Sequence, residues 1–328
     1  MRYGSFIATI ALAGALVASA SAETLRVAGN FPKNHSSSMA MERFKEAVEK
    51  RTDGEVTVNL FPAMQLGGAG ENVTQVRSGS IFATWVGAAY MSRIVPEIEA
   101  ISLPFVFDGR ETAFRVIDGE IGEILEDRLS AKGFATLGWM ELGARHVTNS
   151  VRALDSIEDF KGLKIRMQPN ETHIASFKAI GANPQPMDIK ELYSALQQGV
   201  MDGQENPYPI ILTNNFDEVQ THLSDTSHFF DFILVAANKD RLQGLSKPNR
   251  EAVRAAMKDA VQWQREKAAQ ESKEALAELK KSMTFTPIPD KTRSKLRERT
   301  SDVVENVKER AGAELVEQVI QQATESGS

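Results

Sequence analysis

The chain contains no cysteine. That absence excludes a disulfide scaffold, a thiolate zinc site, a cysteine nucleophile and a thiol-linked lipid anchor. Aromatic residues are few, at 7%, and neither acids nor bases gather into a block of one sign. With a formal charge of −6, the chain is not built around a nucleic-acid groove or a basic face for an anionic membrane. No stretch past residue 22 approaches the ~18 consecutive apolar residues of a membrane-spanning helix. Catalytic fingerprints are missing as well: there is no Gly-x-Ser-x-Gly elbow, no Walker-type loop and no Gly-x-Gly-x-x-Gly turn. The five histidines (His35, His146, His173, His222 and His228) form no ligand pair, and no acidic cluster has calcium-loop or zinc spacing. Gly67-Gly68-Ala69-Gly70 carries no lysine and reads as a flexible loop before a helix. Neither a metal nor a cofactor is expected.

What the chain does have is 328 residues, 42% hydrophobic and 25% charged. That is enough for one large or two medium domains with a real core, and it excludes a disordered chain. Residues 1–22 read as a cleavable export leader: Arg2, an apolar run from Phe6 to Val17, then the small-x-small pattern Ala20-Ser21-Ala22. The alternative is an uncleaved N-terminal anchor. An exported chain free of cysteine suits the bacterial periplasm, without direct membrane insertion.

The mature chain opens with alternating strand and helix patterns. Thr24–Gly29, Val56–Leu60 and Ile81–Val86 read as strands around helices at Ser38–Arg51 and Glu71–Ser78. This order implies parallel pairing with helices on the faces. Ser102–Phe107 and Phe134–Met140 are further strand candidates around a helix at Arg110–Lys132. A second set follows: strand Leu163–Met167, helices Thr172–Ile180 and Ile189–Gln198, and strand Phe230–Ala237. Lys247–Met283 has no glycine and only Pro248 near its start, where a first helical turn tolerates it. Such a helix exceeds ~50 Å, more than one small domain needs, and so is expected to bridge two lobes. Asp302–Gln322 reads as a final amphipathic helix. The expected architecture is α/β: two lobes with a long helix bridging both. Residues 23–142 plus about 231–270 are assigned to lobe I, and 143–230 plus about 271–328 to lobe II. Two such lobes face one another across a cleft that closes about a hinge.

Candidate chemistry lies between Gly143 and Pro207. In Leu163–Met167 the apolar residues share one face and Arg166 stands on the other, near the carboxyl end. A strand-end arginine facing a cleft requires an anion, and a carboxylate matches its planar fork. The competing reading is a salt bridge to an acid of the same chain. Asp202-Gly203-Gln204-Glu205-Asn206-Pro207 reads as a polar turn in which Pro207 holds Asn206 extended. The amide of Asn206 then either grips a ligand or satisfies the local backbone. Gly143-Ala144-Arg145-His146 offers a second cation near the lobe junction, or a solvated arginine.

These segments, with Ala182–Met187, Glu191–Gln197, Leu103-Pro104-Phe105 and Phe61-Pro62-x-x-Gln65-Leu66-Gly67, resemble the extracytoplasmic solute-binding subunit of a TRAP (tripartite ATP-independent periplasmic) transporter, of the dicarboxylate-binding type. The resemblance covers essentially the whole mature chain, in order. It implies a two-lobed periplasmic binding protein fold closing over one organic acid, with Arg166 on the ligand carboxylate, Arg145 as a second cleft arginine and Asn206 as a further contact. It also implies integral membrane subunits as partners. In sialic-acid-binding members a glutamate and an arginine follow the third strand; here Gly87 and Tyr90 stand in those places, which disfavours sialic acid. The polar loop Asn30–Ser38, Asn34 included, together with Trp85, Glu71 and Gln168, points to a small hydroxylated acid: a sugar acid such as a uronate or aldonate, or a C4-dicarboxylate. Each of these residues has a plain structural alternative, with Ser36–Ser38 as helix caps, Trp85 as core and Glu71 as a helix-start charge. The function expected is therefore capture and delivery of an organic acid, not catalysis. The alternative is a periplasmic lyase or isomerase using His35 or Glu71 as base.

Overall fold

The computed structural model describes residues 22–325. The leader expected at residues 1–22 lies outside them, except for Ala22.

The first lobe begins with β1 (Glu23–Gly29), α1 (Ser36–Arg51), β2 (Val56–Phe61), α2 (Ala69–Arg77), β3 (Ala83–Gly87), α3 (Arg110–Ile117), α4 (Glu120–Ala131) and β4 (Phe134–Ala144). The chain then crosses to the second lobe, which contains β5 (His146–Asn149), β6 (Lys164–Met167), α5 (Glu171–Ala179), β7 (Asn183–Pro186), α6 (Leu192–Gln197), β8 (Gly203–Asn206), α7 (Tyr208–Thr213) and β9 (His222–Asp225). It returns through β10 (Phe230–Asn238), α8 (Lys239–Gly244) and the 36-residue α9 (Lys247–Ser282), then ends with β11 (Thr284–Pro287), α10 (Asp290–Arg299), α11 (Ser301–Ala311) and α12 (Ala313–Thr324).

Two sheets result, ordered β2-β1-β3-β10-β4 and β11-β9-β5-β8-β6-β7. β1 pairs in parallel with β2 and β3, as the strand–helix alternation implies, while the returning β10 is antiparallel to β3 and β4. β3 and β10 are buried along their whole length because helices cover both faces of the first sheet. One face packs against α1 and α9 through Phe44, Val48, Met257 and Ala260; the other packs against α2–α4 through Val73, Leu125 and Leu129. The long helix bridges the lobes as expected. At roughly 54 Å it reaches from the first sheet to Ile210 and Ile211 of α7, which share a core with its Ala275 and Leu279.

Several readings are corrected. Residues 110–132 form two helices, broken at Asp118-Gly119, and the expected last helix splits at Gly312, whose φ of +96° favours glycine. Ser102–Phe107 is not a strand: Phe105 takes a left-handed φ of 56°. The polar turn expected at Asp202–Pro207 is instead the interior strand β8, with Gly203–Asn206 all buried. Its polar side chains are tolerated there because each finds a partner, as described below. Finally, α11 and α12 pack on the first lobe rather than the second: Val303, Val307, Val316 and Val319 join the core of Leu125 and Leu129.

Candidate functional site

β6 runs parallel to β8 and β7, with Ile165 and Met167 facing the second-lobe core of Phe160, Leu163 and Phe177. This alternation turns Arg166 to the opposite face, where it is only 1% exposed. Its Nε donates to the Met187 carbonyl at 2.8 Å and its Nη2 to the Tyr90 hydroxyl at 3.4 Å. Among the described residues no carboxylate lies within 4.0 Å of its guanidinium. A buried cation without a counter-ion is costly, so the rest of its fork is available to an anion from outside the chain. Burial raises the Tyr90 phenol above its usual pKa despite the nearby Arg166, so its hydroxyl keeps a proton to donate.

Arg145 behaves in the opposite way. It joins β4 to β5 at the crossing point, two residues after Gly143, whose φ of +111° suits glycine. Its backbone pairs with the return crossing, Arg145 N–H donating to Phe229 O at 2.9 Å. Its side chain, fully buried, forks onto Glu205: Nε meets Oε2 and Nη2 meets Oε1 at 2.8 Å. Nη1 donates to Asp231 Oδ2 at 3.0 Å. Burial alone would push the Glu205 carboxyl up, but Arg145 and a bond from His228 outweigh it and hold Glu205 well below the usual carboxylate range. The expectation that Arg145 faces the cleft is therefore corrected. It staples the crossing between the two sheets and is neutralised by two acids of its own chain.

Arg166 opens onto a cavity between the lobes. From the first lobe its wall receives Asn30, Phe31, Gly87 and Tyr90, and from the second Gln168, Ile189, Asn206 and Asn214. Asn206 ends β8 in an extended conformation before Pro207, as the sequence indicates, and accepts from Arg145 Nη2 at 3.1 Å through Oδ1. Gln168 donates to Asp231 Oδ2 at 2.8 Å. Arg166, Asn206 and Gln168 thus converge on one space, but three other candidates do not line it. Trp85 is wholly buried in β3 against Phe44, because both faces of that strand are covered. Asn34 is exposed; only the near end of its loop, Asn30 to Pro32, reaches the cavity. Glu71 bonds the Gly68 N–H at its own helix start at 2.7 Å and pairs with Lys190 across the cleft at 3.7 Å.

The chain as a whole has counterparts. A sequence model of the bacterial extracellular solute-binding protein family 7 matches residues 27–310. The chain belongs to this family. It is 33% identical over 282 residues to the 2,3-diketo-L-gulonate-binding periplasmic protein of Escherichia coli, covering 86% of this chain and 85% of that one. It also superposes on the sugar acid binding protein of Advenella mimigardefordensis strain DPN7T, solved with galactonate, at a TM-score of 0.90 and 33% identity, covering 92% and 98% of the two chains. A TRAP periplasmic solute binding protein of Sulfurospirillum deleyianum DSM 6946, solved with succinate, matches at a TM-score of 0.87 and 30% identity, covering 91% and 99%.

The molecule is accordingly a TRAP-type solute-binding protein, and its family is one of transport rather than catalysis. The enzyme alternative finds no support among these relatives, which are described as binding proteins. Its two candidate bases are also engaged elsewhere: His35 caps α1 in a buried site, and Glu71 holds Lys190. Among the described residues no helix is long and apolar enough to cross a membrane. Sequence reasoning placed Tyr90 after the third strand but missed its bond to Arg166, since the two lie 76 residues apart.

Proposed function

We propose that this solute-binding protein captures a small organic acid by its carboxylate on Arg166, with the Tyr90 hydroxyl as a second donor and Asn206 and Gln168 as further contacts. The observation that carries this reading is the buried Arg166 guanidinium without an acidic partner among the described residues, on the wall of the interlobe cavity. A ligand carboxylate completes its fork with charge-assisted bonds, strengthened as the closing lobes exclude water. Crossings between the lobes at Arg145 and at residues 226–229 supply the hinge for that closure. The relatives solved with galactonate and succinate support an organic acid as the cargo. The protein is exported by its leader to the periplasm, and its closed, loaded form docks on the membrane subunits of a TRAP transporter.

Thermal-shift measurements test this reading with pairs that differ only in charge, such as gluconate against glucitol. A ligand at ~100 times its dissociation constant adds ~2.7 kcal/mol of stability, so the carboxylate member should raise the melting temperature and the neutral polyol should not. Equal shifts from both would overturn carboxylate capture.

A further inference from the structure

Building on carboxylate capture at Arg166, we infer that the cavity selects a hydroxylated monocarboxylate over a dicarboxylate, with the Gln168 and Asn30 side-chain oxygens as the acceptors that read the ligand hydroxyls.

The orientation of both amides is dictated by their neighbours. Asp231 Oδ2 already accepts from Arg145, and a carboxylate donates nothing, so the Gln168 atom 2.8 Å from it is Nε2. Gln168 Oε1 then points to the other side, toward β3: a methyl built on Gly87 would lie 3.2 Å from it. It accepts from no described group, and both Gly87 and Gln168 line the cavity. Across the cleft, Asn72 donates to the Leu66 carbonyl at 3.0 Å, which fixes its own Oδ1 as the atom accepting from Asn30 Nδ2 at 2.9 Å. Asn30 lines the cavity, and its Oδ1 is thereby left as a buried acceptor with no donor among the described residues; the residue is 7% exposed. Two unmatched acceptors call for hydroxyl donors on the ligand, since a buried acceptor left unmet costs affinity.

The charge distribution argues against a second carboxylate. Among the described residues of the cavity wall, Arg166 is the one cation. Arg145 is consumed by Glu205 and Asp231, and Lys190 beyond the rim is paired with Glu71. A second carboxylate would be buried facing Gln168 Oε1 and Asn30 Oδ1, which repel it. A hydroxyl there donates to either.

Calorimetry on the intact protein decides the matter with two size-matched sets: galactonate, adipate and hexanoate, then erythronate, succinate and butyrate. In whichever set binds more tightly, the hydroxylated monocarboxylate should exceed both its dicarboxylate and its alkyl partner by about tenfold or more. Gln168→Met keeps the volume but removes the acceptor. It should weaken the hydroxylated acid by about tenfold while changing the alkyl acid less than about threefold. Tighter binding of adipate or succinate, or equal losses for both ligands in the variant, would overturn the selection while leaving carboxylate capture intact. Failure of every acid to bind would refute capture at Arg166 itself, and this selection with it.

Discussion

The guanidinium of Arg145 is held by two carboxylates of its own chain and that of Arg166, equally buried, by none among the described residues. Both follow short apolar stretches and both were candidates for the ligand. Their different fates lead to opposite expectations for substitution.

Removing Arg145 strands two buried carboxylates, Glu205 of β8 and Asp231 of β10, without their cation. Arg145→Ala is expected to cost about 3–5 kcal/mol of folding stability, read as a lower urea midpoint. Arg145→Lys should recover little, because an ammonium cannot fork onto Glu205 and reach Asp231 together. A midpoint within error of the native protein would show that the cluster is not a staple.

Arg166→Met removes a buried charge that has no protein counter-ion. It is expected to leave the melting temperature of the ligand-free protein unchanged or raised, since replacing a buried ion by an apolar group of similar size is often neutral or stabilising. A fall comparable to that of Arg145→Ala would mean that Arg166 serves the fold.

Acid should destabilise the protein through its histidines. Burial lowers His35 and His228 from 6.5 to about 4. Below pH 6.5 the unfolded chain takes up protons that the folded chain refuses until about pH 4, so stability is full above that window and falls through it. Each histidine contributes on the order of 1 kcal/mol per pH unit there. His35→Asn keeps an acceptor for the Ser37 N–H while removing the titration. Melting temperature against pH should then fall less steeply between pH 6.5 and 4 and run parallel above pH 7. An unaltered slope would remove His35 from the account.

The Glu71–Lys190 pair spans the mouth of the cleft at 3.7 Å, with both side chains well exposed. Solvent screens such pairs, and Lys190→Ala should weaken ligand affinity by less than about fivefold, the difference fading in high salt. A loss approaching that of an Arg166 substitution would make this pair a main closing force.

How much of this was legible in the sequence depended on the range of the interaction. Local signals carried far: the β1–α1–β2–α2–β3 opening, the bridging α9 and the strand-end position of Arg166 all follow from short-range periodicity and breakers. Pairing did not, because nothing near Arg145 announces that Glu205, 60 residues on, and Asp231, 86 residues on, will close around it. The same blindness misread β8, since Gln204, Glu205 and Asn206 look like a solvated turn until Thr148, His228 and Arg145 are brought beside them. Trp85 and Glu71 are the ordinary outcomes of a doubly covered strand and a capped helix start, while Asn34 lies on the outer part of a loop whose near end forms the cavity wall.

The central claim is that a ligand supplies the anion Arg166 lacks, and isothermal calorimetry of Arg166→Ala with the acid that binds the native protein most tightly tests it. Affinity should fall by more than about 100-fold while circular dichroism and the ligand-free melting curve stay native. Binding of the same acid within a few-fold of native affinity, on a folded variant, would contradict it.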